Sequence, residues 1–266
     1  MPQFYSEIPP HLQTFALSQP LFFISSAPTH GSHINLSPKG LPSTTFTIFS
    51  PTECAYIDAT GSGAETISHL YENGRATIMF CSFSASPRIV RFFCTGRVVE
   101  WDTPEFQVLV GKMGKKKVEG ARAVLLFKVW KAQSSCGYGV PRINPPQLTT
   151  SSSTSPNPSS PSTDSPTSPS IEHHDEDKAA FLDREILGHW ASKQIEKNEL
   201  GAYQIKNNLS SLDGLPGLKT ARREAGQNLL FVDFVAFCKR VLAQREGLMV
   251  GLLMGLLVYV FGVFLF

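Results

Sequence analysis

The sequence has little surplus charge and few cysteines. Lys and Arg number 24 against 22 Asp and Glu, a formal net charge of +2, so no overall field favours nucleic acid or an acidic partner. The five cysteines, Cys54, Cys81, Cys94, Cys136 and Cys238, are an odd number without a C-x-x-C pair. This pattern is typical of free, buried thiols in a reducing compartment.

Several motifs that identify classes of protein are also missing. The N-terminal "MPQFYSEIPPHLQ" lacks the basic end and apolar run of a secretory signal. The glycine-rich 60–63 segment, "TGSG", leads into neither a dinucleotide fingerprint nor the Gly-Lys of a Walker loop. No catalytic triad or dyad can be assigned. The run "EHHDED", 172–177, adjoins a flexible segment that cannot fix a coordination geometry, so no metal site is predicted.

Composition divides the chain into four segments. Residues 1–145 carry the strand-like runs, and 146–177 form a Ser/Pro-rich linker. Its central part, 149–170, has no large apolar side chain, which predicts a disordered tether. Residues 178–246 are predicted to be helical, with Phe181, Leu182 and Trp190 on one helix face. These helices need a covering surface, which could be the N-terminal domain, a second copy of the chain or a membrane interface.

The chain ends in an uncharged run, "LMVGLLMGLLVYVFGVFLF", over 248–266. At about 1.5 Å per residue, such a helix approaches the ~30 Å hydrocarbon thickness of a bilayer, which predicts a transmembrane helix. Because Lys239, Arg240 and Arg245 precede it, we expect a tail anchor with the N-terminal domain in the cytosol, at the endoplasmic reticulum or mitochondrial outer membrane. The alternative is a core helix or an apolar tail docked on the domain.

Residues 1–145 favour a mainly β fold. Seven short β-branched and aromatic runs are separated by Pro, Gly, Ser and Asn, a pattern that predicts antiparallel strands closing into a barrel. Two helices are expected to interrupt the strands. One follows Ser62, and the other begins in "TPEFQVLV" with Thr103 as the cap and Pro104 in the first turn.

The turn before the first of these helices combines a folding signal with a possible anion site. Ser62 and Glu65 have the spacing of a capping box, which by itself explains both residues. The amides and hydroxyls of 60–63 would also lie at the positive end of the helix, where an anion is stabilised. The turn has no lysine, but "INLSPKG" offers Ser37 and Lys39 at the end of a strand. The alternative for Lys39 is a solvated surface lysine.

Several stretches in order resemble one family: "FFISSAP", "HINLSPKG", "YIDATGSGAETISHLYENGRATIMFCSF", "PRIVRFFCTGRV" and "SSCGYGVP". They are similar to the pyridoxamine 5′-phosphate oxidase-like family of FMN-binding split barrels, in particular a fungal and bacterial branch without an assigned reaction. The resemblance covers most of residues 1–142 and resumes at 205–218, "IKNNLSSLDGLPGL".

The resemblance implies a homodimer that holds FMN in two interfacial grooves. The activity it implies is an oxidoreductase that passes hydride from a reduced nicotinamide through FMN to a small acceptor. Together with the helix-end chemistry it gives nine candidate cofactor contacts: Ser37, Lys39, Thr60, Gly61, Ser62, Gly63, Arg75, Arg88 and Arg91. For the three arginines, the alternative is a surface ion pair.

The sequence departs from the family pattern in two places. Glu65 and Thr66 stand where better-studied members carry an Arg-Lys pair, so phosphate binding is either rerouted through Lys39 or lost. "LDGLPGL" replaces the Arg-Leu-x-Pro segment of the true oxidase, so oxidation of pyridoxamine phosphate is not expected. The alternative function is a non-catalytic scaffold that binds a flavin, a deazaflavin or haem.

Overall fold

The computed structural model describes residues 2–29, 31–116, 118–143, 181–182, 184, 186–243 and 245–265. The chain divides into two compact units, Met1–Glu185 and Ile186–Phe266. The predicted linker, 146–177, and the "EHHDED" run lie outside the described residues. The domain boundaries expected from the sequence therefore stay predictions.

The first unit is built on antiparallel strands. Its strands are β1 (Gln3–Tyr5), β2 (Leu21–Ser26), β3 (Asn35–Gly40), β4 (Phe46–Ser50), β5 (Glu53–Ala59), β6 (Arg75–Cys81), β7 (Ile89–Glu100), β8 (Ala121–Ser135), β9 (Arg142–Ile143) and β10 (Phe181–Leu182). The main sheet has the order β3-β2-β6-β7-β8-β5-β4, with β1 paired to β8, and β9 pairs with β10. The mainly β prediction is confirmed, and the seven predicted runs form β2 to β8.

The main sheet curls on itself without closing. Phe22 on β2 lies 5.2 Å from Phe46 on β4 and 5.5 Å from Tyr56 on β5, between ring centroids. These strands are distant in the sheet order, so their contact requires the sheet to bend around one aromatic core. Within the described residues, no ladder joins the two end strands.

The predicted full closure is therefore wrong, and the sheet is a half-barrel. Pro38 has no amide to offer a second ladder on β3. A helical turn, α2 (Pro42–Thr45), then redirects the chain between β3 and β4 before they can pair. The gap between the two sheet ends is left open to side chains.

Three longer helices accompany the sheet: α1 (Pro10–Leu17), α3 (Glu65–Glu72) and α4 (Pro104–Met113). Thr103 occupies the N-cap position of α4 as predicted, although its hydroxyl donates to the Glu100 carbonyl and accepts no hydrogen bond from a helix amide. The predicted capping box on α3 is wrong, because Ala64 is the N-cap residue and no side chain caps the helix. Gly74, with φ +69°, follows the end of α3 in the left-handed conformation that glycine favours there.

The second unit is helical. Its helices are α5 (Ile186–Glu196), α6 (Leu200–Asn208), α7 (Lys219–Glu224), α8 (Leu229–Ala243) and α9 (Arg245–Leu265). Trp190 on α5 packs edge-on against Tyr203 on α6, with 4.8 Å between ring centroids. The predicted helix that would include Phe181 and Leu182 begins only at Ile186, because those two residues pair with Ile143 and Arg142.

The apolar C-terminal region does not meet the prediction of a single membrane span. Among the described helices, none alone is long and apolar enough to cross a bilayer. Leu229–Ala243 and Gly247–Phe261 satisfy those criteria only as a pair, and the two are bent by 70° at their junction. The predicted single transmembrane helix over 248–266 is therefore not supported.

Candidate functional site

A polar cavity of about 500 Å³ lies in the first unit, where β3, β5, the start of β8 and the turn before α3 meet. Five of the candidate residues line it together: Ser37, Lys39, Gly61, Ser62 and Gly63. The structure thus places Lys39 and the glycine-rich turn at one cavity, and their contact with a cofactor stays a prediction. The cavity also has residues that the sequence did not single out as cofactor contacts, among them Asn35, Asp58, Thr66 and Arg122.

A buried carboxylate organises the charge in this cavity. Asp58 Oδ1 lies 3.0 Å from Lys39 Nζ, and Asp58 Oδ2 lies 2.7 Å from Arg122 Nε. The Asp58 side chain is 2% exposed, whereas those of Lys39 and Arg122 are 28% and 25% exposed. Two partly exposed cations thus share one buried anion, which leaves this trio with a surplus of one positive charge toward the cavity.

Strand alternation explains how these groups come to face one another. Cys54, Tyr56 and Asp58 alternate along β5, and all three are buried. Asp58 pairs with Ala123 in the β5–β8 ladder, which brings the neighbouring Arg122 alongside it. On β3 the more buried positions are Asn35, Ser37 and Lys39, so these line the cavity from the opposite end of the sheet.

Hydrogen bonds fix the turn and the start of α3 against the sheet. Arg122 Nη2 donates to the Gly63 carbonyl at 2.8 Å, so the cation that holds Asp58 also holds the turn. Asn35 Nδ2 donates to Thr66 Oγ1 at 2.8 Å, and Ser37 donates to Asn35 Oδ1 at 3.2 Å. The wall of the cavity is therefore a connected polar network.

The buried ring of Tyr56 packs beside Lys39, behind the cavity wall. Lys39 Nζ lies 5.7 Å from the centroid of its ring. Burial raises the pKa of the Tyr56 phenol well above its usual value, with Asp58 adding to the rise and Arg122 opposing it. Its buried hydroxyl has no hydrogen-bond partner among the described residues. Tyr56 is therefore a neutral phenol at physiological pH.

The other four candidates lie elsewhere in the first unit. The amide and hydroxyl of Thr60 both donate to the Gly120 carbonyl, at 2.7 and 2.9 Å. Arg88 lies over the Phe15 ring, and Arg91 donates to side chains on β8. Arg75 lines a separate cavity of about 260 Å³ on the outer face of the sheet, beside Trp130. Within one chain, these residues do not join Lys39.

The residues around the polar cavity fit the phosphate end of FMN. A volume of about 500 Å³ falls within the ~300–1,000 Å³ typical of small-molecule sites. Lys39 and Arg122 supply charge, and the 61–63 turn and the hydroxyls of Ser37 and Ser62 supply hydrogen-bonding groups. Glu65 also lies on the wall. Its charge balances the surplus of the Asp58 trio, so a phosphate is attracted only where it lies closer to Lys39 and Arg122 than to Glu65.

Three solved structures resemble the chain weakly. HupZ of Group A Streptococcus is 19% identical, over 46% of this chain and 89% of that one, with a TM-score of 0.35. An FMN-binding protein of Syntrophomonas wolfei is 14% identical, over 46% of this chain and 84% of that one, with a TM-score of 0.35. HutZ of Vibrio cholerae, described as a heme storage protein, is 14% identical, over 47% of this chain and 89% of that one, with a TM-score of 0.33. At these identities and TM-scores, their ligands do not carry over to this chain.

Two sequence comparisons are more informative. A family model described as pyridoxamine 5′-phosphate oxidase matches residues 8–136, which include β2 to β8 and every residue placed in the polar cavity. The pyridoxamine 5′-phosphate oxidase family protein ustO of Aspergillus flavus is 44% identical over 260 residues, covering 98% of this chain and 95% of that protein. Since this similarity extends over nearly the whole of both chains, the protein belongs to the pyridoxamine 5′-phosphate oxidase family.

Proposed function

We propose that the protein is an FMN-binding oxidoreductase that passes hydride from a reduced nicotinamide to a small organic acceptor. Membership of the family supports a flavin cofactor. The observation that carries the proposal is the arrangement of Lys39 and Arg122 around Asp58 at the wall of a cavity of about 500 Å³. Such a site offers a phosphate group both charge and hydrogen bonds.

In this proposal, each group on the cavity wall has a binding role. Lys39 and Arg122 hold the phosphate, and the 61–63 turn contributes amides. Asp58 fixes the positions of both cations, and Arg122 in turn fixes the Gly63 carbonyl. Bound FMN supplies the electron-transfer chemistry, while the protein supplies orientation and electrostatics. Neither a general acid nor a general base is assigned.

The same wall favours flavin over haem as the ligand of this cavity. Axial ligands to haem iron are His, Cys, Met or Tyr. None of these residue types lines the part of the cavity that the structure describes. A non-catalytic, flavin-binding scaffold is the second candidate function, because the described cavity wall offers groups that bind a phosphate but no residue assigned as a general acid or base.

Replacing Lys39 by Ala is expected to weaken FMN binding by about 10- to 100-fold, the effect of losing one charge-assisted hydrogen bond. Binding of riboflavin, which lacks the phosphate, should change little. Lys39→Arg keeps the charge and should recover part of the affinity. Titration of the full-length protein in detergent, followed by quenching of flavin fluorescence, measures each affinity.

Lys116→Ala is a matched control for this titration, because Lys116 is an exposed lysine away from the cavity. Equal loss of FMN and riboflavin affinity, or no loss at all, would rule out the assignment of Lys39 to the phosphate.

The same preparation tests turnover. Bleaching of the flavin absorbance by NADH or NADPH supports the oxidoreductase, whereas a flavin that stays oxidised favours the scaffold.

The proposal includes a homodimer formed through the outer face of the sheet. Trp130 is 53% exposed there and lies 5.8 Å from Phe93, between ring centroids. Phe4 on the neighbouring β1 is also exposed, and Lys131 Nζ approaches the rings of Phe4 and Trp130. Exposed aromatic side chains of this kind are enriched at protein interfaces. Light scattering of the FMN-loaded protein checks this, and a monomer at all concentrations would contradict it.

The proposal also places the protein at a membrane, with the first unit in the cytosol. Its support is the apolar character of 248–261, because these residues are apolar and all of them are exposed. Fractionation of cells that express a tagged full-length chain tests this location. Recovery of the chain in the supernatant without detergent would refute it.

A further inference from the structure

The second unit contains a basic cavity that FMN binding does not explain. It measures about 440 Å³ and lies between α7, α8 and the 215–217 segment. Its charged residues are Lys219, Arg222, Asp233 and Arg240, and Leu215 and Pro216 form an apolar edge. Three cations and one carboxylate give the lining an excess of positive charge.

One ion pair forms the fixed part of this cavity. Arg222 is 1% exposed, and its Nη2 donates to Asp233 Oδ1 at 2.8 Å. Its guanidinium also reaches Gln227 Oε1 at 3.4 Å and the Leu229 carbonyl at 3.5 Å. These contacts neutralise Arg222 and hold α7 against the start of α8. The positive charges left for a ligand are therefore those of Lys219 and Arg240.

Lys219 and Arg240 are available for a ligand. Neither residue forms a hydrogen bond or ion pair with any residue that the structure describes. Both line the same cavity, next to an apolar edge. Two such cations beside apolar side chains suit an anion attached to a hydrocarbon body rather than a fully hydrated ion.

An apolar stripe runs along α8 beside this cavity. Leu230, Phe234, Phe237 and Val241 recur at intervals of four, three and four residues, and their exposure ranges from 37% for Val241 to 84% for Leu230. The cavity residues Asp233, Ala236 and Arg240 follow the same helical spacing on the adjacent face. The exposed apolar face of α8 thus lies beside the face that carries Arg240 and borders the basic cavity.

We infer that the basic cavity binds the phosphate headgroup of an anionic phospholipid while the apolar stripe of α8 lies in the membrane interface. Juxtaposed basic and apolar faces are the pattern of interfacial helices on anionic membranes. A second copy of this surface would present the same positive excess, so charge disfavours self-association there. The inference deepens the proposed membrane location and rests on it.

The test uses the full chain, synthesised cell-free in the presence of preformed vesicles and recovered by flotation. The vesicles contain either phosphatidylcholine alone or phosphatidylcholine with phosphatidylglycerol. The double variant Lys219→Gln/Arg240→Gln is expected to lower partitioning onto the phosphatidylglycerol vesicles by about 30-fold, the effect of two basic residues at an anionic surface. Partitioning onto phosphatidylcholine alone should stay as in the parent chain.

The control is Lys193→Gln/Lys206→Gln, which removes the same charge from exposed positions on α5 and α6. An equal loss in both double variants would show a diffuse charge effect and overturn the cavity assignment. If the parent chain binds equally to vesicles with and without phosphatidylglycerol, the membrane location is supported and the headgroup site is refuted. No binding to either vesicle would refute both.

Inorganic phosphate separates a lipid headgroup from a free anion as the ligand of the cavity. The competition is run against chloride at matched ionic strength, so general screening is the same in both samples. We expect the two salts to reduce binding to the phosphatidylglycerol vesicles equally. Selective loss in phosphate would show that the cavity prefers free phosphate, and would overturn the lipid assignment.

Discussion

Asp58→Asn is expected to lower the free energy of unfolding of the ligand-free protein by about 3 kcal/mol, because it removes the buried charge between two cations. Lys39 and Arg122 each lose their carboxylate partner. Since both cations are about one-quarter exposed, water offsets part of the loss, and the effect falls at the lower end of the range for a broken buried pair. Thermal unfolding should show a midpoint about 6–12 °C lower.

FMN should reverse part of this loss, which distinguishes a binding site from a structural ion pair. In the Asp58→Asn variant the two cations are free to bind phosphate, so saturating FMN should raise the midpoint more than it does in the parent chain. Asp102→Asn, at an exposed position, should change stability by no more than about 0.5 kcal/mol. A smaller rise with FMN in the Asp58→Asn variant than in the parent would contradict the proposed site.

The strands were predictable because their local signals agree with the fold. β2 to β8 are β-branched and aromatic runs bounded by turn residues. The curled shape was not predictable in the same way, because closure depends on whether the two end strands can pair. Pro38 and the α2 turn decide that question against pairing. The short β1 and α1 were missed, since Pro9 and Pro10 obscured a helix with proline in its first turn.

The candidate site was predicted in part. Lys39 and the 61–63 turn were found because strand-end position and helix-end chemistry are local properties. Arg122 and Asp58 were missed because they lie 64 residues apart and meet only through the β5–β8 ladder. A signal was present, however. Alternation along "ECAYIDA" places Asp58 on the same strand face as Tyr56, in a strand buried on both faces, and a buried carboxylate is costly without a cationic partner.

Arg184 holds a segment of the first unit in place, and this role was not predicted from the sequence. It follows the β10 strand, which pairs with β9 at Ile143 and Arg142. Its side chain is 7% exposed and donates to the carbonyls of Val140 at 2.6 Å, Ala85 at 3.1 Å and Ser82 at 3.4 Å, and also to that of Ser84. The chain between β9 and β10 thus begins and ends on the first unit.

Arg184→Ala is expected to lower the free energy of unfolding of the first unit by about 3 kcal/mol, because several backbone carbonyls lose a charged donor and water reaches them only in part. Arg184→Lys should lower the free energy of unfolding by about half as much, since one ammonium cannot reach all the carbonyls that the planar guanidinium reaches. Thermal unfolding followed by circular dichroism of the β signal measures both changes.

The control is Arg142→Ala, at an exposed position of the same ladder, which should shift stability by no more than about 0.5 kcal/mol. Equal effects at Arg142 and Arg184 would show that the ladder, and not the guanidinium, secures this segment.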